Sequence, residues 1–197
     1  MSADPVAPAA VSADSGGDDL AHWLLHACAL DASARSTTGA ELPDWRIIDT
    51  LTAVLNGWER RAALATEATL ATAVLALQST AYLLGRFDND HDLARQWLLD
   101  FGHRFAENQA HPHSAGPAAI EVLDTAVVEV RQHPGAPSAA ALVRIGAPVL
   151  DHMRPASRVE DARELLLTLG LWAGNDLARL ADWDADRIAD RVRPGAG

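Results

Sequence analysis

Apolar residues recur every three or four positions along most of this chain, the period of an α-helix. Nowhere do they alternate with polar residues for long enough to predict a strand. From Asp18 onward, Leu20, Trp23, Leu24, Ala27 and Cys28 fall at helical spacing behind the acidic pair Asp18 and Asp19, which suits the positive end of a helix dipole. The segment Asp31 to Leu42 reads as a loop. Pro43 then opens a second helix through Trp45, Ile48, Leu51 and Leu55 to about Ala62, with Asn56-Gly57 a candidate interruption. A third helix, about Leu64 to Leu84 with Gly85 as its stop, carries apolar or small residues on every side. It is expected to be buried all round, with Leu70, Val74, Leu77 and Ala81 among its contacts.

The fourth helix is expected to be capped within Asp88-Asn89-Asp90 and to run to about Glu107, with Leu93, Trp97, Leu98, Phe101 and Phe105 as its inward stripe. A polar loop from Asn108 to Gly116 precedes a fifth helix over about Pro117 to Gln132. The sixth begins at Ser138 and is expected to kink or split at Pro148. Ser157 and Glu160 have capping-box spacing and open a seventh helix to about Ala173. Gly174-Asn175 reads as a break before an eighth helix from Asp176 to Arg193. The pattern predicts one all-α domain over residues 18–193, a bundle of seven or eight helices around the central helix at 64–84. Residues 1–17, without periodicity and rich in Ala, Ser, Pro, Gly and Asp, read as a disordered arm, and 194–197 as a flexible C-terminus.

Composition narrows the function classes. A chain of 197 residues that is 49% hydrophobic and 22% charged has enough apolar surface for a core without a disulfide or metal staple. The net charge of -11 disfavours a protein whose main task is to hold a phosphate backbone, because that affinity comes from basic side chains displacing counterions. All basic residues are arginine, so Schiff-base lysine chemistry and a lysine-bearing phosphate loop are excluded. Cys28 is the sole cysteine, which excludes an intrachain disulfide and a four-cysteine zinc site and makes a reducing cytoplasm the expected compartment. The uncharged stretch Ala68 to Leu84 reads as a core helix rather than a membrane span.

Several short patterns bear on chemistry. Arg86 and His91 have the Arg-x4-His spacing that resembles the catalytic motif of the all-α HEPN-type ribonucleases, and the resemblance implies metal-independent RNA cleavage by that pair across a dimer. His91-Asp92 is similar to the dipeptide with which HD-type phosphohydrolases hold a divalent ion, which implies further His and Asp ligands converging on it. His22 and His26 share a helical face and are expected to face solvent. The carboxylates of Asp88, Asp90 and Asp92 lack the glycine and the final glutamate of a calcium loop and read as a capping cluster. On the eighth helix, Asp182, Asp186 and Asp190 stand four apart opposite the apolar stripe, with Trp183 on the rim. That row is a candidate face for a basic partner.

No convergent catalytic set accompanies the patterned core. The expected function is therefore that of a non-enzymatic helical protein that binds another protein or a second copy of itself in a regulatory or structural role, without metal or cofactor. The alternative is a phosphodiester- or nucleotide-directed enzyme using Arg86, His91 and Asp92.

Overall fold

The computed structural model describes residues 11–39, 42–107 and 115–192, with 105–107 described by backbone alone. These residues form α1 (Gly17–Thr38), α2 (Trp45–Arg60), α3 (Leu64–Arg86), α4 (His91–Glu107), α5 (Gly116–Gln132), α6 (Ala139–Gly146), α7 (Pro148–His152), α8 (Arg158–Leu180) and α9 (Ala185–Val192). No strand occurs among the described residues, and the fold is an all-α single-domain helical bundle. α6 and α7 are the two halves of the segment that Pro148 splits.

α3 occupies the centre and packs against α1, α8, α6 and α5 as well as its sequence neighbours. It is the one described helix long and apolar enough to cross a membrane, and most of it is buried inside the bundle. Its deepest face is not the expected one. Leu64, Ala68, Ala71, Thr72, Leu75 and Ala76 are fully buried, whereas Leu70, Val74 and Leu77 are half-buried and Ala81 is exposed. The small side chains face inward because they let neighbouring helices come close, and the larger ones cover the seams. On α4 the same logic moves Leu93 outward, where it is 52% exposed, while Ala94 and Leu98 are buried.

The sharpest departure from the sequence pattern is at Gly174-Asn175, where α8 continues without a break to Leu180. A Cβ on Gly174 would stand 2.7 Å from the backbone nitrogen of Ala29 and from the Cβ of Cys28, and one on Gly170 would stand 2.8 Å from Leu24 Cγ. These glycines are therefore contact points rather than breakers: they let α8 lie directly on the backbone of α1. The real break follows Leu180. Asp182 and Trp183 take left-handed backbone angles, φ 54° and 62°, and the Trp183 N–H returns to the Ala178 carbonyl at 2.7 Å.

Other boundaries shift for equally local reasons. α1 runs through the expected loop to Thr38, supported by the Arg35–Asp31 pair one turn apart at 2.7 Å, and stops at left-handed Gly39. α3 passes through Gly85 to Arg86, and the left-handed residues are Asp88 and Asn89. Asp90 caps α4, its carboxylate accepting from Asp92 N and Leu93 N at 3.0 Å each. The capping box at the start of α8 is absent. Ser157 Oγ instead donates to Asp161 at 2.9 Å, and the buried Asp161 carboxylate also accepts from Arg154 N, Nε and Nη2 at 2.8, 3.1 and 2.6 Å. Those donors, Arg154 above all, hold the Asp161 carboxyl well below its ordinary range despite its burial.

The arm expected over residues 1–17 is ordered where it is described. Residues 1–10 lie outside the described residues, as do the loop at 108–114 and the C-terminus from 193. From Val11 the chain lies along α2. Ser15 O accepts from the buried Trp58 Nε1 at 2.8 Å, and Asp14 pairs with Arg61 at 3.0 Å. Ala13 sits where a side chain on Gly57 would be, 2.5 Å from its ideal Cβ, so α2 continues uninterrupted through Asn56-Gly57.

Two measurements check this packing. Gly174→Ala is expected to destabilise the fold by about 1–3 kcal/mol through overpacking against α1. Gly85→Ala, on an exposed helical site with nothing within 4 Å, is expected to stabilise it by about 0.5–1 kcal/mol in the same urea titration. Equal responses would show that α1 and α8 are not in backbone contact. Deletion of residues 1–16 uncovers the Trp58 donor and is expected to lower Tm by at least about 2 °C; an unchanged Tm would show that the arm does not dock.

Candidate functional site

Because α8 continues through Asn175, Trp172, Asn175, Asp176 and Arg179 fall three and four apart on one face of it. That face lies about 200° around the helix from Gly170 and Gly174, so it points away from α1. Opposite it, Ser79, Leu83 and Arg86 line up three and four apart on α3, and Trp97, Leu98 and Phe101 do so on α4. Together with Leu123 of α5 these side chains enclose a cavity of about 240 Å³.

Three aromatic rings wall it. Trp97 and Phe101 stack with centroids 5.3 Å apart and planes 12° apart, and Trp172 meets Phe101 edge-on at 5.4 Å and 87°. The Arg86 guanidinium lies over Trp97 at 4.8 Å and over Phe87 at 5.7 Å, within cation–π range. Asp176 is the unusual member. Among the described residues nothing hydrogen-bonds to its carboxylate, and burial raises its carboxyl above the ordinary range while Arg179 and Arg86 pull it back. Asp161, in the first turn of the same helix, has four donors from Arg154 and Ser157; Asp176 has none among the described residues.

The residues singled out by the sequence scatter. Arg86 opens on the aromatic cavity, whereas His91 lines a separate cavity of about 350 Å³ with Arg95, Val127 and Arg131. The structure does not bring the Arg-x4-His pair to one cavity. Asp92, the second half of the HD-like dipeptide, is bound by both Arg131 Nη1 and Nη2, the latter at 3.1 Å. Among the described residues no group of three or more His, Cys, Asp and Glu side chains is placed to hold a metal. His22 and His26 are not a matched exposed pair: His22 Nδ1 lies 2.9 Å from Asp18 O, while His26 is half-buried, its Nε2 lacks a partner, and burial lowers its pKa. His111 and His113 lie outside the described residues. The buried Cys28 thiol is pushed far up by desolvation and is no nucleophile.

The expected acidic row is also divided. Asp182 lies in the turn before α9 and pairs with Arg187, while Asp186 and Asp190 alone stand on α9. Trp183 is half-buried against the core, and its carbonyl accepts from Ser33 Oγ.

A half-buried carboxylate with no protein donor costs the fold stability, because burial disfavours its charged form. Its folded pKa is raised, so the native state binds a proton more tightly than the unfolded chain. The stability it leaves is greatest at low pH and falls as pH rises through the ordinary carboxylate value, 3.8, and beyond it. Asp176→Asn, which does not titrate, is expected to raise Tm at neutral pH, with the gain shrinking toward pH 4. A lower Tm at neutral pH would mean that the carboxylate is satisfied in the fold.

The chain matches no family model, no curated protein and no solved structure, so the functional reading rests on the cavity.

Proposed function

We propose that this chain is a non-enzymatic helical binding protein, regulatory or structural in role, whose cavity between α3, α4, α5 and α8 takes a small planar organic molecule. The observation that carries the reading is the convergence of an aromatic wall, Trp97, Phe101 and Trp172, with the polar groups Arg86, Asn175, Asp176 and Arg179 on one partly open cavity. Its volume of about 240 Å³ lies below the roughly 300–1,000 Å³ of sites for drug-sized ligands, which favours a single-ring or fused-ring compound. The enzymatic alternative through Arg86, His91 and Asp92 lacks a shared cavity for those groups.

A protein partner or a second copy remains a second reading, favoured by a different feature. Leu70, Leu142, Val143 and Leu150 line an apolar groove of about 420 Å³ between α3, α6 and α7, and Val143 and Leu150 are 60% and 45% exposed beside it. Such a groove suits the apolar face of an amphipathic helix.

The test is a thermal-shift screen of small planar compounds on the wild type and on Trp172→Leu. A ligand present at a hundred times its Kd is expected to stabilise the wild type by about 2.7 kcal/mol. Loss of one aromatic wall is expected to weaken it roughly 2- to 10-fold. No stabilising compound, or equal stabilisation of both proteins, would remove the cavity as the site.

A further inference from the structure

The cavity's charges do not belong to one sign, and they are not satisfied by one another. Arg86 and Arg179 form no ion pair with any carboxylate among the described residues, and they act on Asp176 only from a distance. Both are exposed, whereas Asp176 is half-buried. The cavity thus offers two guanidinium groups without an ion pair at its more exposed positions, Arg86 stacked on Trp97, and one half-buried carboxylate without a protein donor. Each unpaired group names a complementary group on the ligand.

A purely anionic ligand would meet the arginines but leave Asp176 desolvated beside a second negative charge. A purely cationic one would answer Asp176 while standing against two arginines, both close enough to act on it electrostatically. Resting on the reading of this cavity as a ligand site, we infer that the ligand is a small amphoteric aromatic molecule of the amino-acid type, its ring among Trp97, Phe101 and Trp172, its ammonium on Asp176 and its carboxylate on Arg86 and Arg179. Arginine suits the last role because its planar fork meets a carboxylate with two parallel hydrogen bonds. Arg86 needs little ordering for it, since its guanidinium is already laid over Trp97. Asn175, on the same face of α8, adds a donor and an acceptor to the polar end.

Calorimetric titration of the full chain with four probes of one ring and one chain length tests this: phenylalanine, phenethylamine, 3-phenylpropionate and 2-phenylethanol. Phenylalanine is expected to bind about tenfold tighter than phenethylamine or 3-phenylpropionate, the worth of one charge-assisted contact, and about a hundredfold tighter than 2-phenylethanol, which lacks both. Asp176→Asn is expected to abolish its advantage over 3-phenylpropionate, and Arg86→Gln with Arg179→Gln its advantage over phenethylamine, circular dichroism reporting that each variant is folded. If a variant fails to fold, the ranking on the wild type decides alone. Binding of 3-phenylpropionate or phenethylamine as tight as that of phenylalanine would overturn the inference. Equal binding of all four probes, or a response to 2-phenylethanol alone, would overturn it and leave the cavity reading standing. Silence of all four would overturn both.

Discussion

The backbone contact between α1 and α8 is what the remaining elements are arranged around. Gly170 and Gly174 present no side chain to α1, and Leu24, Cys28 and Ala29 take up the space. A helix pair that touches at this distance leaves no room for bulk on the contact face, so the long side chains of α8 are displaced to its other faces, toward α3, α2 and α5, with Trp172 reaching Phe101 of α4. The same device recurs where Gly17 meets α3, a Cβ there standing 2.4 Å from the Glu67 carbonyl, and where Gly146 of α6 meets Thr69. An alanine-rich chain with few aromatic residues builds its core from close helix contacts together with buried leucines.

This arrangement also accounts for where the chemistry sits. Trp97, Phe101 and Trp172 collect where α3, α4, α5 and α8 line a common cavity. α8 then carries two aspartates of opposite character. Asp161 at its start is enclosed by Arg154 and Ser157 and ties the turn to the helix. Asp176, further along, is half-buried without a protein donor and lines the cavity. The first holds the turn to the helix; the second is the residue on which the proposed ligand site rests.

Helical periodicity made most of the fold legible, because apolar spacing reports which residues face a core whatever the core contains. The caps at Asp90 and Ser138 and the split at Pro148 were readable for the same local reason. What periodicity does not report is how near a neighbouring helix comes. Glycine as a breaker and glycine as a contact point look alike in a single sequence, so Gly174-Asn175 read as a helix end. That misplaced end separated Trp172 from Asp176 and Arg179 and hid the site. Trp97 and Phe101 were legible as an inward stripe, but not as a wall around a space. Arg86 was noticed for its distance from His91 in sequence, and in the structure its partner is the face of Trp97. The acidic row does not lie on one helix, because left-handed Asp182 and Trp183 separate α8 from α9 at its first member.

Ligand contact at the aromatic wall is most directly observed through the indole N–H resonances of the six tryptophans during titration with phenylalanine. Trp97 and Trp172 are expected to shift together along one binding curve. Trp58, buried beneath residues 13–15, and Trp45, 63% exposed at the start of α2, are expected to stay in place. Resonances of Trp97 and Trp172 that remain still while Trp45 moves would place any binding on the surface and contradict the cavity as the functional site.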